Sequence, residues 1–222
     1  MRLGLLGGMV VATTMMAGGS AMAGGPNPIE RAGDRQELRE DGRETAADRW
    51  DLARLDALRG RYVAARAGGR DGLIAQLDQE VMAELRMEVR ETKVETVDKR
   101  HELRASVAER NGERREVVRD IVRGRPAKAA RDARDLGDDR RDVRDDQRDL
   151  AAEAASLERK RVIRDGYAGL VGRLDAASVN AKLGLIDRAI AEARLEVRHD
   201  VQERAEDRRE LREDRRDQRA RD

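Results

Sequence analysis

The chain has 222 residues, enough for one or two domains, and 42% of them are charged against about 25% in ordinary globular domains. Trp50, Tyr62 and Tyr167 are its only aromatic residues and it lacks Phe and Cys, so a core must come from Leu, Val, Ile, Met and Ala. That excludes disulfide stapling and suits thin helical seams better than a sandwich or a wound sheet.

Residues 1–23 carry Arg2, an apolar run from Leu3 to Met16, and Ala21-Met22-Ala23. A short positive n-region, an apolar h-region and an A-x-A site predict a signal peptide cleaved after Ala23 and a periplasmic or secreted protein. No later segment has the roughly 20 apolar residues of a membrane span, so no transmembrane segment is expected after cleavage. Removing residues 1–23 leaves equal numbers of acidic and basic groups. Bulk charge therefore gives no drive toward nucleic acid or an anionic membrane, and no nucleic-acid partner is expected.

An extended leader over 24–29 is followed by helical patterning to the end. Helix A is expected over 30–67, with Leu52, Leu55, Leu58, Tyr62 and Val63 on its apolar face and Trp50 as a seam residue. Gly68-Gly69-Arg70-Asp71-Gly72 breaks the pattern, with Asp71 as N-cap. Helix B is expected over 72–110, with an apolar stripe of Ile74, Leu77, Val81, Leu85 and Val89. Asn111-Gly112 is expected to end it, and a linker over 111–126 would hold a short amphipathic piece with Val117, Val118, Ile121 and Val122.

Pro126 starts helix C, expected over 127–173 and carrying Val162, Ile163, Tyr167, Leu170, Val171 and Leu174 near its end. Leu174 to Ser178 breaks the chain again. Helix D follows over 176–220 with Ile186, Ile190, Ala193, Val197 and Val201. The fold class is thus all-α: two αα-hairpins, 30–110 and 127–222, in an elongated four-helix bundle with charged helical stems.

The two halves repeat. Residues 83–104 and 191–212 align without a gap at an offset of 108, with eleven of twenty-two positions identical. Chance would give roughly two or three in so biased a composition, and this pattern indicates an internal duplication. Its centre is Ala-Glu-x-Arg-Φ-Glu-Val-Arg, where Φ is Met87 or Leu195.

An Asp-x-x-Asp/Glu-Φ unit also recurs, from Asp34–Leu38 and Asp48–Leu52 to Asp207–Leu211. Leu136, Val143, Leu150 and Leu157 fall at steps of seven. A coiled coil wants two apolar positions per heptad, and here the second is Arg140, Gln147 or Ala154. Pairs such as Asp138–Arg141, Arg141–Asp145 and Asp145–Arg148 stiffen these helices by about 0.2–0.5 kcal/mol each. Leu136, Val143, Leu150, Leu157, Leu211 and Trp50 are therefore the candidate partner-binding residues, for a second copy or another protein.

Chemistry is sparse. His101 and His199 lack a His-x-x-x-His spacing, so neither predicts a metal site. Asp135-Leu136-Gly137-Asp138-Asp139 is the nearest candidate for calcium, but interleaved arginines already neutralise its acids. Beyond the leader the serines are Ser106, Ser156 and Ser178, with few histidines to serve them. No catalytic residue, cofactor or metal is expected. The sequence reads as an exported, non-enzymatic helical structural or interaction protein acting through helix–helix association. The alternative is a periplasmic chaperone or stress protein that holds unfolded polypeptide on Met82, Met87 and Leu195.

Overall fold

The computed structural model describes residues 28–221; the expected signal peptide and most of the leader lie outside them. Four helices follow in order: α1 (Pro28–Ala67), α2 (Asp71–Val122), α3 (Pro126–Ala168) and α4 (Ala176–Arg221). None is long and apolar enough to cross a membrane.

The apolar stripes set the packing. Ile74, Leu77, Val81 and Leu85 of α2 are buried in one cluster with Leu55, Leu58 and Tyr62 of α1. Ile163 and Tyr167 of α3 and Val179, Ile186, Ile190 and Ala193 of α4 complete it. This head lies at the two tight turns, 68–70 and 169–175, as the apolar pattern predicts. Val63, Val162, Leu174 and Val201 are the exceptions: they sit at the edges of their stripes and remain exposed.

Away from the head, α2 packs along α3 and α1 along α4. The α2 helix runs for 52 residues, about 78 Å at 1.5 Å per residue. The bundle is therefore a rod with its aliphatic core at one end of α2.

Three expectations are corrected here. Helix α3 ends at Ala168 and not at 173, so Leu170 and Val171 lie in the turn that follows it. The stretch 111–122 continues α2 without interruption. Asn111 and Gly112 are half-covered, and packing along α3 outweighs the roughly 1 kcal/mol that a helical glycine forfeits. Asp71 is the first helical residue and not the cap; Arg70 precedes it with no side-chain cap bond.

The turns use glycine where the backbone demands it. Gly69 and Gly124 have φ of 61° and 67°. At each, the N–H of the following arginine reaches back to Ala65 O or Asp120 O, which is a Schellman closure. The α4 helix starts differently: Asp175 Oδ1 accepts the Ser178 N–H at 2.9 Å, as an N-cap carboxylate does.

Helix α3 supplies the seam of the long stem. Leu136, Val143 and Leu157 are buried within the chain's own fold. The distal end is stitched by Lys128, whose Nζ lies 2.5 Å from Asp120 and 3.1 Å from Asp132.

Gly112 and Gly137 are helical, and a Cβ would meet open space at either. Replacing each by Ala should raise unfolding free energy by about 0.8–1 kcal/mol. Gly124→Ala should lower it, because its φ lies in the left-handed region. Urea titrations of the three variants check both signs.

Candidate functional site

The interior of the bundle carries three polar layers, and each draws on several helices. The deepest centres on Asp78 of α2. Its Oδ1 accepts the Tyr62 hydroxyl of α1 at 3.1 Å and the Tyr167 hydroxyl of α3 at 2.9 Å. Its Oδ2 accepts the Gly172 N–H at 3.0 Å and the Lys182 ammonium of α4 at 2.6 Å. Lys182 donates a second bond to Arg173 O at 2.8 Å.

All four side chains are fully buried. A buried ion pair is tolerable only when its remaining polar atoms are met, and here both carboxylate oxygens are. Burial and then the Asp78 charge hold both tyrosine hydroxyls above the usual phenol range, so they remain donors. Gly172, with φ of 77°, is the residue whose N–H faces the carboxylate.

Lys160 of α3 forms the second layer. Its Nζ lies 2.6 Å from Glu196, 2.8 Å from Glu88 and 2.7 Å from Thr92 Oγ1. Burial works against this ammonium, and the two carboxylates outweigh it, so it is held above the usual lysine range. One cation serves two acids. Glu196 itself is raised, because burial exceeds the pull of Lys160. Ser156 donates to Glu196 at 3.2 Å.

The third layer is acidic and takes one carboxyl from each helix. Asp48 of α1 shares a side-chain hydrogen bond with Asp200 of α4, and burial and that contact push it up to about 9. Glu95 of α2 shares one with Glu153 of α3, and burial and its neighbour's charge push it up to about 8. Two carboxyls can share a hydrogen bond only if one holds a proton. Glu95 is exposed as a residue and Glu153 half-buried, so this pair lies at the edge of the layer. Beside these layers Glu84 is buried under Arg54 at 2.9 Å and lifted to about 7, chiefly by burial.

The residues singled out from the sequence lie elsewhere. Leu136, Val143 and Leu157 are buried inside the chain, so they form an intramolecular seam and not an open stripe; Leu150 is half-buried. The heptad shows spacing but not which helix covers it, and here the expected partner helix belongs to the same chain. The Leu211 side chain lies outside the described residues.

Trp50 is exposed and not a seam residue. The Arg54 guanidinium sits 5.2 Å from its ring centroid, a cation–π arrangement. Met82 is buried, whereas Met87 and Leu195 are 42% and 47% exposed. Residues 135–139 are mid-helix and form no calcium loop. Among the described residues no three acids or histidines converge on a metal-sized point.

The sequence reading missed all three layers. One signal was present: the chain has five lysines among 47 basic residues, and Lys160 and Lys182 are the buried cations among the described residues. A compact ammonium fits a small buried site where a guanidinium fork does not. Comparison with protein-family models, with curated proteins and with solved structures gave no match.

The acidic layer has a definite sign. Asp48 and Glu95 bind protons more tightly folded than unfolded, so their contribution is full near the ordinary carboxylate range of about 4 and is lost as pH rises through about 8 to 9. Thermal unfolding should therefore show a Tm more than about 4 °C higher at about pH 5.5 than at about pH 8.5. Asp48→Asn combined with Glu95→Gln should reduce that dependence, leaving the smaller part that Glu84 supplies through about 7. A Tm that rises with pH over this window would contradict the assignment.

Proposed function

We propose that the chain is an exported, non-enzymatic helical structural and interaction protein that works by helix–helix association with itself or with a protein partner. The observation that carries this reading is the pair Met87 and Leu195. They occupy the same place in the two repeated segments, and both are large apolar side chains left exposed, each beside an exposed arginine, Arg86 and Arg194. Val94, seven residues on, continues the Met87 face of α2, with Val97 beside it. Such outward apolar positions on long charged helices gain from a facing helix. This moves the association surface from the α3 heptad to the outer faces of α2 and α4.

We also read the halves as duplicated. Support comes from Tyr62 and Tyr167, which meet on one carboxylate, and from the ion pairs Arg54–Glu84 and Arg159–Glu192, which join α1 to α2 and α3 to α4. Export rests on residues 1–23 and the cleavage expected after Ala23.

The same Met87 and Leu195 favour a second reading, capture of unfolded polypeptide. It predicts that the chain suppresses aggregation of a denatured client at equal ratios.

Light scattering on the chain from Gly24 onward should show a dimer or larger species whose population grows with concentration. Met87→Asp with Leu195→Asp should return it to monomer with unchanged helicity. A wild-type chain that stays monomeric at every concentration would remove self-association, and the client assay would then decide between the two readings.

A further inference from the structure

The far end of the long stem carries an apolar surface that neither the head nor the association faces explain. Val118, Ile121 and Val122 close α2 with 55%, 62% and 81% of their surfaces exposed. At 100° per residue they share one face of the helix with Asn111, Arg114 and Arg115, and Arg119 flanks it. Asp120, at 3% exposure, marks the opposite face. The usual arrangement, apolar inward and charged outward, is here mixed on the outward side.

Charge is also sorted across this end. Residues 111–132 hold seven basic and four acidic side chains in a chain whose total is nearly balanced. Three of the four acids are occupied: Lys128 contacts Glu116, Asp120 and Asp132, and Arg125 adds to Asp120. Arg114, Arg115, Arg119 and Arg123 form no ion pair among the described residues. Between them lies a shallow depression of about 380 Å³ lined by Asn111, Arg114, Arg115 and Val118.

We propose that this tip docks on the surface of an anionic phospholipid bilayer. Val118, Ile121 and Val122 enter the boundary between headgroups and acyl chains. Arg114, Arg115 and Arg119 reach headgroup phosphates, and the depression beside Asn111 seats one of them. Arginine suits this role because its stem lies along apolar surface while the guanidinium takes phosphate oxygens bidentately. Anionic leaflets attract such clusters, and a partly apolar helix face binds in the interface without spanning it. An acidic protein would pair with the arginines but would need a shaped pocket for three convex β-branched side chains. A bilayer needs none. The neutral bulk charge does not oppose this, because screening confines the attraction to groups within about 8–10 Å of the surface.

Flotation of the chain from Gly24 onward with phosphatidylcholine vesicles, with and without phosphatidylglycerol, tests the proposal. The chain should float with the anionic vesicles only, and less so as salt is raised. Arg114→Ala with Arg115→Ala should weaken binding by about tenfold or more. Val118→Ser, Ile121→Ser and Val122→Ser together should abolish it, with helicity unchanged.

Because the chain has no cysteine, Ile121→Cys can carry a single polarity-sensitive dye. Its emission should shift to the blue on anionic vesicles, and the same dye at Ala67→Cys in the head should not. Equal flotation with both vesicle types, binding that survives the triple change, or no dye shift would overturn the proposal. Binding to polyglutamate without vesicle binding would also overturn it and assign the tip to an acidic protein.

Discussion

A carboxylate and an ammonium withdrawn together from water must have every polar atom met, or the pair destabilises the fold that holds it. Asp78 and Lys182 meet that requirement only when all four helices are in place. Tyr62 arrives from α1, Tyr167 from α3 and Lys182 from α4, while the α3–α4 turn contributes Gly172 N–H and Arg173 O. An aliphatic head of Leu, Ile, Val and Ala accepts many packings with little penalty. The hub selects among them, because a slipped register leaves a buried charge without partners. Lys160, with Glu88 and Glu196, repeats the device nearer the stems, with one cation between two acids.

Below the hub the character of the interior changes. Carboxyls face carboxyls at Asp48–Asp200 and Glu95–Glu153, where burial and the neighbouring acid raise Asp48 and Glu95, so this layer weakens as their protons leave. The long stem is a two-helix seam with an apolar residue only every seventh position, closed at its end by Lys128. The aliphatic core thins from head to tip, and the tip carries the most exposed apolar side chain of α2, Val122.

Much of the architecture was legible in the residues. The stripe Ile74, Leu77, Val81, Leu85, Val89 gave the α2 core face directly, and Pro126 gave the start of α3 within one residue. The end of α2 was not legible. Asn111-Gly112 weakens a helix by about 1 kcal/mol, and only the covering α3 decides that the helix continues. The polar layers were hidden for a different reason. Where 42% of residues are charged, one Asp inside a stripe does not stand out, and pairs such as Asp78–Lys182 are separated by 104 positions. Their pairing depends on the register between helices, which one helix's pattern does not encode. Likewise the sevenfold spacing of Leu136, Val143 and Leu157 correctly marked a seam but could not say that its partner was the preceding helix.

The central claim is that the Asp78–Lys182 hub organises the head. Its most direct test is the unfolding free energy of a Lys182→Met variant by urea titration. The substitution keeps the side chain's length and apolar stem but leaves Asp78 buried without its cation. The account predicts a loss of about 3–5 kcal/mol, the scale for breaking a buried pair. A loss below about 1 kcal/mol, the scale of a solvated surface pair, would contradict it.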